Sequence, residues 1–150
     1  MMKLKYILLV ATVSASCSIK SNTINDFQRK LMSISKDELV ISEFDKVLII
    51  PGAGCTGCVS SAENFVMENF ERIDRILVIF TAIPSQKMLK MKLGIDLNRQ
   101  NVYLDKDNEF NAGNIYSFYP TVFYLKDGKA IKFEYVSPEN KDVLNRLLDE

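Results

Sequence analysis

The sequence predicts an α/β domain in which helices flank a central mixed β-sheet. Short runs of β-branched and aliphatic residues alternate with segments of helical periodicity. Residues 47–50 and 76–80 are apolar throughout, which is typical of parallel strands buried on both faces. Near the end of the chain, Asp127-Gly128 separates two strand-like segments and indicates an antiparallel hairpin. Parallel strands together with a closing hairpin give a mixed sheet.

Helical segments precede, separate and follow these strands. The first is predicted to be amphipathic, because Ile24, Phe27, Leu31 and Ile34 repeat at helical spacing, and the second follows Cys58. A third, residues 84–93, has a proline near its start and Gly94 just past its end, the asymmetry expected of a helix. A last helix is expected to be capped by Ser137-Pro138, and its buried side consists of Val143, Leu144, Leu147 and Leu148.

The remaining elements are shorter. Residues 39–41, 102–104 and 121–125 are predicted to be strands, and residues 108–114 to be a loop or short helix. After the hairpin turn, one face of the returning strand carries the apolar side chains Ile131, Phe133 and Tyr135, while Lys132 and Glu134 lie on the other.

Composition narrows the function. A length of 150 residues fits one domain, and zero net charge provides no basic field for binding nucleic acid. The chain contains no histidine, which excludes Ser-His and Cys-His hydrolytic pairs and histidine-dependent zinc sites. The remaining candidates for reactive side chains are three cysteines, at positions 17, 55 and 58.

The amino terminus has the pattern of an export signal. Lys3 and Lys5 precede an apolar run, residues 6–13, and small residues then lead to Cys17. This order resembles the lipobox of bacterial lipoproteins, although Ser14 stands where that motif usually has leucine. The resemblance implies a signal peptide over 1–17, lipid attachment at Cys17, a polar tether over 18–23 and a domain over 24–150. The protein is then membrane-anchored and faces the bacterial periplasm or cell exterior. The alternative is a plain signal peptide.

The strongest chemical signal is Cys55-Thr56-Gly57-Cys58, at the junction between a buried strand and a helix. At a helix start, free backbone N–H groups and the helix dipole stabilise a thiolate. Cys55 is therefore expected to be the exposed nucleophile, and Cys58, one turn inside the helix, the resolving cysteine. Thiol–disulfide exchange of this kind needs no metal and no cofactor.

Two other interpretations of the cysteine pair stay open. The pair could be a structural disulfide, since exported domains use disulfides as cross-links. It could also belong to a binding module without catalysis, which docks a partner or holds copper(I), because soft thiolates suit that ion. A zinc site is disfavoured, because zinc usually takes four protein ligands and the domain over 24–150 has no further cysteine and no histidine.

A downstream segment, Tyr119-Pro120-Thr121 followed by an apolar strand and a Gly-containing turn, resembles the thioredoxin superfamily. The resemblance implies a thioredoxin-like fold and a cis bond between Tyr119 and Pro120. It also implies a substrate-binding loop of Tyr119, Pro120 and Thr121 beside the disulfide. The expected function is exchange with protein thiols and disulfides of the cell envelope, by a monomer that binds no nucleic acid.

The sequence departs from that family in two positions near the cysteines. Gly54 stands where tryptophan usually precedes the first cysteine, and Ile49 replaces a buried aspartate that assists proton transfer in thioredoxin itself. Three other carboxylates, Glu63, Glu68 and Asp105, are candidates for this role but are expected to be solvated surface charges. Deprotonation of Cys58 therefore has no obvious base.

Overall fold

In a computed structural model of the chain, residues 20–35 and 39–148 are described. The strands are β1 (Lys46–Pro51), β2 (Ile76–Thr81), β3 (Val102–Leu104), β4 (Thr121–Lys126) and β5 (Lys129–Tyr135). They form a five-stranded sheet in the order β3-β2-β1-β4-β5. β1, β2 and β3 are parallel, whereas β4 pairs antiparallel with both β1 and β5. The predicted α/β class and mixed sheet are confirmed.

The helices are α1 (residues 20–34), α2 (Thr56–Asn69), α3 (Gln86–Leu93) and α4 (Val143–Arg146). Short 3₁₀ turns occupy Ile41–Glu43, Phe70–Arg72, Glu109–Asn111 and Gly113–Ile115. α3 begins at Gln86, two residues after Pro84, and Ser85, which was not predicted as a cap, accepts a hydrogen bond from the Met88 N–H. The predicted end signal is confirmed, because Gly94 ends the helix at φ +64°. Glycine is favoured there because it adopts the left-handed conformation without a Cβ penalty.

Each face of the sheet carries its own apolar core. Leu48 and Ile50 of β1 point to the face covered by α2, α3 and α4. Val47 and Ile49 point to the opposite face, which is covered by α1 and by the 3₁₀ turns that contain Ile41, Phe110 and Ile115. Side chains of a strand alternate between faces, so a strand between two cores must be apolar at every position. This explains the continuous apolar run by which β1 was predicted.

α1 is attached to the sheet mainly through Phe27. Its ring stacks on Phe123 of β4 with centroids 3.7 Å apart and contacts Phe110 edge-on at 6.1 Å. Leu31 and Ile34 are buried on the same side of the helix, which confirms the predicted amphipathic face. The helix already includes residues 20–23, so that part of the segment predicted as a tether is helical. Residues 1–19, including the predicted signal and Cys17, lie outside the described residues.

Two predicted elements are wrong. Residues 39–41 are not a strand, because backbone bonds from Glu43 to Val40 and from Phe44 to Ile41 close a 3₁₀ turn there. The last helix does not begin at Ser137-Pro138. The Asn140 N–H instead bonds to the Ser137 carbonyl, and a turn delays the helix until Val143, after Asp142.

The predicted Asp127-Gly128 turn joins β4 to β5, and both residues have positive φ, as a two-residue hairpin turn requires.

A polar contact links the hairpin to α4. Burial raises the pKa of Tyr124 to about 12, and its hydroxyl donates to Glu134 at 2.6 Å. Arg146 donates to the same carboxylate at 3.1 Å. The contact holds α4 against the end of the sheet.

We expect Phe27→Ala to destabilise the protein by about 3–5 kcal/mol, because it leaves a cavity between α1 and the sheet. Met32→Ala, on the same helix at 61% exposure, is the matched control and should change the free energy of unfolding by less than about 0.5 kcal/mol. Urea unfolding of both variants measures the difference. Equal stabilities would show that α1 contributes little to the fold.

Candidate functional site

Cys55 and Cys58 form a disulfide at the carboxyl end of β1. β1 ends at Pro51, a short turn follows, and Cys55 occupies the N-cap position of α2 with extended backbone (φ −64°, ψ 100°). One helical turn separates the two cysteines, and their Cα atoms lie 5.3 Å apart. The predicted placement of the pair at a helix start is confirmed.

The two cysteines differ in environment. Cys55 is half-buried, whereas Cys58 is only 8% exposed. The backbone N–H of Cys58 donates to Cys55 Sγ at 3.4 Å, so the sulfur takes the place of a capping oxygen. No acidic residue lies in the first turn of α2 to oppose negative charge. In the reduced protein, this N–H and the helix dipole would stabilise a thiolate on Cys55.

The loop that precedes β4 contacts the disulfide through Phe118. The Cys55 N–H donates to the Phe118 carbonyl at 2.9 Å. Gly54, at φ +144°, lies so close that a Cβ atom there would overlap the same carbonyl oxygen. A position with this φ and no room for Cβ accepts glycine alone. The structure thus explains why a glycine, rather than a bulky residue, precedes Cys55.

The predicted substrate loop lies beside the disulfide, but its details differ from the expectation. None of the described peptide bonds is cis, so the expected cis bond before Pro120 is wrong. The trans form is the intrinsically favoured isomer of an X–Pro bond. In this conformation the Tyr119 N–H donates to Ser117 Oγ, and its carbonyl accepts from Thr121 Oγ1. Both backbone groups of Tyr119 thus have local partners, and Phe118 provides the contact with Cys55.

A groove of about 350 Å³ opens beside the cysteines, on the side of α4. Cys55, Gly57 and Cys58 form one end, so the buried Cys58 is still reached from the groove. The rest of the wall consists of Ser61 of α2 and, after β5, Val136, Ser137, Pro138, Lys141 and Leu144. This part of the groove was not predicted from the sequence, because it depends on the packing of the segment after β5 against α2. Tyr116 and Phe118, which lie exposed in the loop before β4, were also not predicted as part of the site. Their position just before the proline motif is the sequence feature that could have indicated them.

The carboxylates considered as a base do not lie in this groove. Glu63 and Asp105 are 6% and 2% exposed, which corrects the expectation that they are surface charges. Glu63 is buried because α3 covers it, and it pairs with Lys92. Asp105 accepts hydrogen bonds from Thr81 Oγ1 and from the N–H groups of Glu109 and Phe110. Glu68 is exposed, as expected.

Within residues 20–35 and 39–148, no group of three or more Cys, Asp or Glu side chains is arranged to hold a metal ion. Over the same residues, no helix has the length and apolar character needed to cross a membrane. Comparison of the chain with protein-family models, curated proteins and solved structures found no match. The proposed role of the site therefore rests on its own geometry.

We expect Gly54→Ala to lower the free energy of unfolding of the oxidised protein by about 1–3 kcal/mol, because the new methyl must displace the Phe118 carbonyl at an unfavourable φ. Gly57→Ala is the matched control, since nothing lies within 4 Å of its Cβ position. In the helix it should be neutral or stabilising by up to about 1 kcal/mol. Denaturant unfolding decides, and a Gly54→Ala variant as stable as wild type would contradict the steric argument.

Proposed function

We propose that this protein is a thiol–disulfide oxidoreductase with a thioredoxin-like fold, in which Cys55 is the nucleophile and Cys58 the resolving cysteine. The observation that carries the proposal is the N-cap position of Cys55, with the Cys58 N–H donating to its sulfur. A five-stranded mixed sheet with helices on both faces is compatible with a thioredoxin-like fold. The proximity of the Phe118–Pro120 loop to the disulfide adds to this support.

The exchange reaction needs two steps. In the reductive direction, the Cys55 thiolate attacks a substrate disulfide; one S–S bond breaks, a mixed disulfide forms, and one substrate thiolate leaves. Cys58, as a thiolate, then attacks Cys55 Sγ, which releases the second substrate thiolate and forms the Cys55–Cys58 disulfide. The reverse sequence oxidises a dithiol. Because Cys58 lines the groove, its proton can pass directly to water.

The substrates we propose are protein thiols and disulfides of the cell envelope. This part of the proposal rests on the amino-terminal pattern, which favours export and a lipid anchor at Cys17 in the bacterial periplasm or at the cell exterior. The exposed aromatic rings of Tyr116 and Phe118 lie in the loop that contacts Cys55, where a partner chain would pass.

Expression of Cys58→Ser should trap mixed disulfides between Cys55 and partner proteins, because the resolving thiol is missing. Cys55→Ser, the matched control, should trap few or none, since Cys58 is buried. Non-reducing gels of thiol-blocked cells measure the adducts. Equal trapping by the two variants would refute the assigned roles. A reduction potential below about −300 mV would instead favour a structural disulfide.

Cys17→Ser should abolish acylation of the chain in a bacterial host. Labelling with a clickable palmitate analogue should mark the wild type and Cys55→Ser equally, and both should sediment with membranes. Cys17→Ser should carry no label, because no other residue outside the disulfide pair has a thiol. An unlabelled wild-type chain would refute the anchor without bearing on the redox chemistry.

A further inference from the structure

A second cavity, of about 390 Å³, lies at the carboxyl ends of β1 and β2, between these strand ends, α2 and α3. Its size is within the usual range of small-molecule sites. The carboxyl ends of parallel strands are also where α/β sheets commonly bind ligands. Neither cysteine of the disulfide lines it, so it is distinct from the groove. Its apolar wall includes Ile50, Pro51, Phe80, Ile83, Met88 and Leu89.

The rim of this cavity is held in a defined conformation. Ala82, which follows β2, has φ +52°, an uncommon value for a residue other than glycine. Its N–H donates to Asn108 Oδ1 at 2.9 Å, which holds the turn in place. Gly52 passes so close to the Ala82 carbonyl that no Cβ would fit. The entrance is therefore shaped before any ligand arrives.

Glu63 and Lys92 are the charged residues among those that line the cavity. Lys92 Nζ donates to Glu63 Oε2 at 2.5 Å, and this is the hydrogen bond that the described residues provide to the carboxylate. The two side chains differ strongly in exposure: 7% for Glu63 and 58% for Lys92. Lys92 can therefore turn into water provided that another cation takes its place beside Glu63, whereas Glu63 stays buried.

The difference in exposure between Glu63 and Lys92 favours a ligand with a positive charge. A buried carboxylate needs a compensating positive charge, because an unpaired charge in the interior is strongly unfavourable. A ligand cation can replace the Lys92 ammonium and leave Glu63 paired. A ligand anion would bring a second negative charge close to Glu63, and the one cation of the cavity, Lys92, is already paired with that carboxylate. The apolar wall meanwhile favours a hydrocarbon body.

We propose that this cavity binds a small aliphatic amine. The ligand's ammonium pairs with Glu63, its alkyl chain packs against the wall that includes Met88 and Leu89, and the Lys92 side chain turns to solvent. A primary alkylamine is protonated at pH 7, as a lysine side chain is. The proposal does not depend on the chemistry of the disulfide.

The test uses n-hexylamine as the probe, added to the oxidised full chain at pH 7 and followed by calorimetry and NMR chemical shifts. n-Hexanol has the same chain without the charge, and hexanoate has the opposite charge. We expect the amine to bind more tightly than either, since it alone can take the place of the Lys92 ammonium beside Glu63. In Lys92→Met, where no internal bond has to break, the preference should reach at least about tenfold, the value of a charge-assisted hydrogen bond. Absence of amine binding, or equal binding of hexanol or hexanoate, would overturn the proposal.

Variants locate the site. Glu63→Gln should weaken hexylamine binding by about tenfold or more, whereas Glu68→Gln, an exposed carboxylate on the same helix, should leave it unchanged. Lys92→Met should strengthen binding, because it removes the internal competitor for Glu63. Circular dichroism checks that each variant folds. If Glu63→Gln does not fold, the Lys92→Met result decides: weaker or unchanged affinity in that variant would overturn the proposal.

Discussion

The hydrogen bond between the Cys55 N–H and the Phe118 carbonyl is the contact on which the candidate site depends. It joins the turn after β1 to the loop before β4, two segments far apart in the sequence. It excludes any side chain at position 54, because the carbonyl occupies the space of a Cβ. It also satisfies the N–H of Cys55 itself, while the Cys58 N–H, in the first turn of α2, donates to the Cys55 sulfur.

Sheet topology explains why these segments meet. β4 runs antiparallel to β1, with Thr121 opposite Ile49, so the start of β4 lies where β1 ends. The loop before β4 must then come next to whatever follows β1, which is the cysteine pair. This placement needs no particular isomer at Pro120, which is consistent with the trans bond found there. β2 lies on the other side of β1 and runs parallel to it, so its carboxyl end reaches the same edge.

How far the sequence predicts this structure depends on how local each signal is. The apolar run of β1 and the turn at Asp127-Gly128 are complete within a few residues, and both were predicted correctly. The segment that ends at Ile41 was wrongly predicted as a strand. A 3₁₀ turn that inserts one apolar side chain into a core can have the same short apolar sequence as a strand. Glu63 was wrongly predicted to be exposed because it lies outside the apolar stripe of α2. Its burial results from the packing of α3, which the sequence of α2 does not reveal. Phe118 was missed because its contribution is a backbone carbonyl, which any residue type would supply.

The carboxyl end of β1 therefore serves two environments at once. Toward β4 it leads to the disulfide, where backbone donors and a groove reaching Cys58 suit an exchange of sulfur bonds. Toward β2 it borders a cavity in which an apolar wall surrounds a buried carboxylate. Pro51 and Gly52 belong to that cavity, and the chain reaches the N-cap of α2 only a short turn later. The cavity and the disulfide therefore adjoin the same turn after β1, although no residue lines both.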